Sequence, residues 1–145
     1  MQLNEAEKLA LKGNFKDAFR KDEEVVNLFP HTAPGDRAIF HMGLILAHPD
    51  NPKQDYVKSL KCFKKILKYF PESPLKINAE ICAHTITQVI RDYRTIKRLR
   101  KRASSLETQI KGYTETINIL KGQLEKIKEI NIITEEKKRV RSSGD

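Results

Sequence analysis

Side chains able to do covalent or metal chemistry are few and scattered in this sequence. Histidines stand at His31, His41, His48 and His84, and cysteines at Cys62 and Cys82. A zinc site draws its donors from short fixed spacings such as HxxxH, HExxH or CxxC, because several ligands must converge on one ion. None of these spacings occurs. A cysteine nucleophile requires a histidine held against it, and nothing local to either thiol supplies that geometry. Glycine-rich phosphate loops, GxSxG and paired carboxylates are also missing. The expectation is a non-enzyme with no cofactor and no metal ion, whose two cysteines are small core residues rather than a disulfide framework.

The dense chemistry is positive charge. Arg91, Arg94, Lys97, Arg98, Arg100, Lys101 and Arg102 fall within one short segment interrupted by a single acid, Asp92. Residues 1–72 hold 12 Lys and Arg against 10 Asp and Glu, whereas residues 73–145 hold 16 against 9, so most of the formal charge of +9 is local. Such a run meets phosphate on nucleic acid through counterion release, or anionic lipid headgroups at about 1 kcal/mol per basic residue, or an acidic protein that it steers. The plainest reading is a solvated helical face, as for most charge runs. Protein or anionic-membrane contact ranks above nucleic acid, because Tyr93 is the lone interleaved aromatic and no recognition motif accompanies the run. Binding to a duplex is expected to be weak, non-specific and strongly salt-dependent.

The elements that carry these residues are legible in composition and period. The 145 residues are 32% charged, with 6 Phe, 4 Tyr and no Trp, a balance that suits exposed helices. A repeat is present. The segment from Asn14-Phe15 to Phe29-Pro30 recurs 41 residues later, from Asp55-Tyr56 to Phe70-Pro71, with Ala18 matched by Ser59. In each copy apolar residues fall mainly at three- and four-residue spacings, the stripe of an amphipathic helix. Pro30 and Pro71 end the helices by withholding an N–H. Gly13 suits a tight turn, and Pro34-Gly35-Asp36 and Ser73-Pro74 signal fresh starts. His48 to Gln54, with two prolines, reads as a loop.

These helix-turn-helix units resemble the tetratricopeptide repeat. The residues carrying the resemblance are Ala6, Gly13, Phe15, Ala18 and Pro30, then Tyr56, Ser59 and Pro71, over roughly residues 2–86. It implies an all-α fold of two tetratricopeptide-like helix pairs with a core of Ala6, Phe15, Ala18, Phe29, Tyr56, Ser59 and Phe70. A concave face would be left exposed, to which Lys8, Lys12, Arg37 and His41 are assigned. The long helix after Pro74 would cap the second pair through Ile77, Ile81, Ala83, Ile86 and Ile90. More narrowly, Phe70-Pro71-Glu72-Ser73-Pro74 followed by Ala79 looks like the variant found in bacterial outer-membrane-assembly and envelope lipoproteins. That likeness implies a periplasmic adaptor held at the outer membrane if an upstream signal with a lipidated cysteine has been removed, and a cytoplasmic protein otherwise. Helical patterning already runs at Leu3, so the expectation is a chain that continues upstream.

Beyond Pro74 there is no proline. Ile96, Leu99, Ala103, Leu106, Ile110, Tyr113, Ile117, Leu120, Leu124 and Ile127 alternate at three- and four-residue steps, an a/d heptad seam. Arg102-Ala103-Ser104-Ser105 offers too little loop for a hairpin, so one long helix is expected to pair with another chain. The predicted organisation is a repeat domain over 1–86, a coiled-coil helix over 87–130 and a disordered polar tail over 131–145. The function expected is an interaction adaptor or scaffold: the repeat docks a protein partner and the seam forms a homo-oligomer. A self-assembling filament, or weak binding of nucleic acid or anionic lipid through residues 91–102, is the alternative.

Overall fold

A computed structural model describes residues 2–144. The described residues form five helices and no strand: α1 (Gln2–Leu11), α2 (Phe15–Leu28), α3 (Gly35–Ala47), α4 (Tyr56–Tyr69) and α5 (Lys76–Ser142). The chain divides into two compact units, Met1–Thr95 and Ile96–Asp145. The division lies nine residues beyond the boundary at 86 read from the sequence.

In the first unit α1 packs on α2, α2 on α3 and α3 on α4. Lys12 to Asn14 joins α1 to α2, and Gly13 takes φ 78°, left-handed backbone that glycine adopts without a Cβ penalty. The duplicated helices α2 and α4 share their ends as well as their length. Asn14 and Asp55 accept the N–H of Asp17 and Lys58 as N-caps, while Phe29 and Phe70 donate their own N–H to Val25 and Ile66 at the C-termini. Each cap satisfies backbone groups that a helix end leaves open. The loop from His48 to Asp55 is ordered by two amides. Asn51 donates to the Ile45 carbonyl and accepts the Lys53 N–H, and Gln54 reaches the carbonyls of Ala47 and His48.

The larger core joins Ile39, Phe63, Ile66 and Phe70 to Ala79, Ala83 and Ile86 of α5; a smaller one gathers Phe15, Ala18 and Ile45. Gly43 lets α3 approach α4, since a Cβ there would stand 2.8 Å from Phe63 Cζ. Of the core expected from the sequence, Ala6, Phe15, Ala18, Ser59 and Phe70 are buried and Tyr56 is half-buried against the larger cluster. Phe29 is a correction. It is 41% exposed and belongs to neither cluster, because what packs at the end of α2 is its backbone carbonyl, met by Gly35, whereas Phe70 is buried within the larger cluster. Ile77 and Ile81 are a second correction. Both are exposed, because α5 buries the stripe Ala79, Ala83 and Ile86, about 200° of helical rotation away. The small alanines of that stripe permit the closer approach.

In the second unit α5 runs without interruption to Ser142. It does not give way after Ile130, where a disordered tail was expected. Glu135, Glu136, Lys137 and Lys138 are strong helix formers, Glu135 pairs with Lys138 at 3.1 Å, and Arg139 and Arg141 complement the dipole at the C-terminus. Loss of an apolar seam removes a partner face, not helix propensity.

Candidate functional site

The heptad seam lies along a helix that buries none of its side chains from Ile96 onward. Nine of the ten seam residues are between 47% and 67% exposed, and Ala103 is exposed with them. No hairpin interrupts the segment at Ser104-Ser105. Gly112 and Gly122 sit within the helix, and a Cβ at either would meet nothing. One helical face thus presents isoleucine and leucine to solvent over about 45 Å at a rise of 1.5 Å per residue.

The seven basic residues from Arg91 to Arg102 are also on α5, and every one is exposed. The ion pairs farther along this helix join Glu125 to Lys128 and Glu135 to Lys138, so among the described residues none of the seven cations is neutralised by a carboxylate. Arg91 and Arg94 fall in the first unit and the other five in the second.

The feature that composition and spacing did not reveal is a polar pair inside the first unit. Asp22, on α2, is fully buried, and its Oδ2 lies 2.6 Å from Nδ1 of His41 on α3. When the carboxyl is ionised it only accepts, and Nδ1 then carries the proton of that bond. Asp22 Oδ1 has no hydrogen-bond partner among the described residues. Burial pushes the Asp22 carboxyl above its ordinary pKa; the hydrogen bond and charge of His41 pull it back, and Glu7 on α1 pushes the same way as burial. His41 is therefore not one of the exposed residues of a concave face, to which the resemblance had assigned it. Lys8, Lys12 and Arg37 do stand exposed, and Arg37 meets Glu7 at 3.6 Å. A signal for the pair was present in the repeat: 41 residues on from Asp22 is Phe63, an inward position.

Two clefts open on this unit. One, of about 720 Å³, lies between α1 and α3 and includes Glu7, Leu11, His41, Leu44 and His48. The other, of about 460 Å³, is lined by Phe15, Phe19, Ile45 and Pro52 with Lys16, Lys53 and Lys58. Leu11 is 88% exposed, an apolar side chain left at the edge of the first cleft. Asp36, also buried, accepts from the Arg37 N–H and from Ser73 Oγ, which fixes the start of α3 to the turn before α5.

The remaining reactive residues stay apart. His31 is exposed near Tyr69, His48 packs its ring 4.8 Å from that of Phe15, and His84 is exposed on α5. Cys62 and Cys82 are free and half-buried. Burial pushes the Cys62 thiol up to about 11 and raises that of Cys82. Among the described residues no group of three His, Cys, Asp or Glu side chains is placed to hold a metal ion, and no helix is long and apolar enough to cross a membrane. Comparison with models of protein families, with curated proteins and with solved structures finds no match to this chain.

Proposed function

We propose that this protein is a non-enzymatic interaction adaptor, in which a short helical array docks a protein partner and the heptad helix holds copies of the chain together. The observation that carries this reading is the exposed ten-residue seam on an uninterrupted helix. A stripe of that width is what one coiled-coil helix offers another. The array is read as two tetratricopeptide-like pairs, α1 with α2 and α3 with α4, capped by the start of α5; the matched ends of α2 and α4 and the left-handed Gly13 support the pairing. Its docking face is the α1–α3 cleft, where Leu11 and Leu44 supply apolar contact and Glu7, His48 and Asp50 supply polar rim. By the same resemblance the adaptor belongs to a bacterial envelope, tethered through an upstream lipidated cysteine. A lipobox in the upstream coding sequence tests the tether, and a plain translation start at Met1 overturns it.

The seam is tested in the full chain. Ile117→Lys with Leu120→Lys should return an oligomer to monomer mass by light scattering while leaving the cysteines of the first unit protected from labelling. An unchanged mass would mean that another surface assembles the protein.

The unpaired cations from Arg91 to Arg102 favour a second reading, contact with an acidic surface. Vesicles containing anionic lipid should bind at low salt and release near 200 mM, as screening predicts. Sub-micromolar binding to a mixed-sequence duplex that persists at that salt would place nucleic acid first instead.

A further inference from the structure

We infer that the seam is covered by a second copy of this chain running parallel and in register, with Arg102 of each copy clasped to Glu107 of the other. The inference rests on the homo-oligomeric reading above and adds orientation, register and strand number.

Area comes first. A buried Leu or Ile is worth about 1.5–3 kcal/mol, which at about 25 cal/mol/Å² corresponds to roughly 60–120 Å². Ten half-exposed seam side chains therefore remove about 500 Å² per helix, and the aliphatic stems of flanking Arg and Lys residues add to it. The total approaches the roughly 800 Å² per partner of a stable interface, so one further helix is enough. Isoleucine at a, in Ile96, Ile110 and Ile117, with leucine at d, in Leu99, Leu106 and Leu120, is the side-chain shape that favours two parallel strands.

Charge then selects the orientation. In a parallel pair each g residue faces the e residue five positions later on the other chain. Arg102 is at g and Glu107 at e, and symmetry forms that pair twice. The other g positions from Thr95 to Gln123 are uncharged, and Ile130 at g faces Glu135, so no like charges meet across the seam. In an antiparallel pair centred on the same ten residues, e flanks e. Arg100 then lies beside Lys121 and Lys128 of the other chain, while Arg102 faces Gln123 and Thr116. One attraction, Glu107 with Lys121, is set against two repulsions. A slip of one heptad in the parallel pair brings Arg102 against Arg100 and dissolves the clasp. Both partners are available, because neither Arg102 nor Glu107 takes part in an ion pair among the described residues. The arrangement sets Lys97, Arg98 and Lys101 of the two copies near one another, at outward b, c and f positions where solvent screens them.

Two measurements on the full chain test this. Leu120→Cys, in a background carrying Cys62→Ala and Cys82→Ala, should cross-link to itself nearly quantitatively in a glutathione redox buffer, because facing d positions fall within disulfide reach only in a parallel, in-register pair. Preferential cross-linking of that variant to an Ala103→Cys variant would overturn the parallel orientation while leaving the homo-oligomer standing. A monomer by light scattering at all concentrations would overturn both. Independently of the cysteines, Arg102→Glu alone should weaken dimerisation about 5- to 30-fold, since two attractive pairs become two repulsive ones. Adding Glu107→Arg should restore it. A charge swap that fails to restore affinity, or a trimer mass, overturns the clasp.

Discussion

Removing the imidazole of His41 leaves a carboxylate sealed in the first unit without a partner. His41→Ala deletes the 2.6 Å bond to Asp22 Oδ2, and the second oxygen already has none among the described residues. A hydrogen bond to a charged group contributes about 1.5–3 kcal/mol. Truncating a ring that is only 16% exposed adds roughly 1–2 kcal/mol for lost packing. The sum, about 2.5–5 kcal/mol, is comparable with the cost of breaking a buried ion pair from one side. For a unit of this size it lowers the melting temperature by roughly 15–30 °C. Because α5 dominates the helical signal, unfolding of the first unit is best followed through urea-dependent labelling of Cys62 and Cys82. The pH dependence has a definite sign. Burial holds the folded Asp22 pKa above its unfolded value, so the stability that this group contributes is fully present below the unfolded pKa and is lost as pH rises through the folded one. Without His41 the two lowering influences vanish and the window widens. The penalty of His41→Ala should accordingly be smaller at pH 4.5 than at pH 7.5. A penalty below about 1 kcal/mol at pH 7.5, or one that acid does not relieve, would refute the reasoning.

Other perturbations discriminate packing from propensity. Gly43→Ala drives a methyl to 2.8 Å from Phe63 Cζ and should cost about 1–3 kcal/mol by urea titration, since neither α3 nor α4 is free to retreat. Phe63→Ala, at a site 1% exposed, should cost about 3–5 kcal/mol in the same assay. Gly112→Ala and Gly122→Ala meet open space and should each strengthen the second unit by about 1 kcal/mol, seen as a later thermal transition of its helix. At pH 8 a thiol reagent should modify Cys82 before Cys62, whose pKa burial pushes up to about 11; equal rates would show that the α4 thiol is not sealed.

Much of the architecture was readable because it rests on local chemistry. Pro30 and Pro71 stop helices wherever they occur, the 41-residue repeat placed α2 and α4, and the heptads of α5 continue for ten positions. Choices between faces were not readable. Near its start α5 carries two apolar stripes, one with Ile77 and Ile81 and one with Ala79, Ala83 and Ile86, and large side chains drew attention to the wrong one. Close packing chose the alanines. Phe29 and Phe70 each stand just before the proline that ends their helix, yet only the second lies within a buried cluster. Asp22 was hidden for the reason that makes it informative: aspartate is a surface residue by habit, and tertiary placement overrides the habit only when a partner such as His41 comes from elsewhere in the chain.

The coincidence of Asp22 with Phe63 in the repeat bears on how a duplicated chain keeps its order. Both α2 and α4 lie against α3, have the same length and end in the same caps, so as backbones they are interchangeable. What separates them is the central inward side chain. His41 on one flank of α3 accepts a carboxylate, while Gly43 and Phe40 on the other accept a ring, Phe40 meeting Phe63 edge-on at 5.4 Å. Were the two helices to trade places, within one chain or between two, Asp22 would be buried against glycine and phenylalanine with nothing to bond, and Phe63 would be pressed on an imidazole. A misassembled stack carries that penalty at its centre, so a single polar substitution in one copy suffices to make the sequence of helices self-correcting.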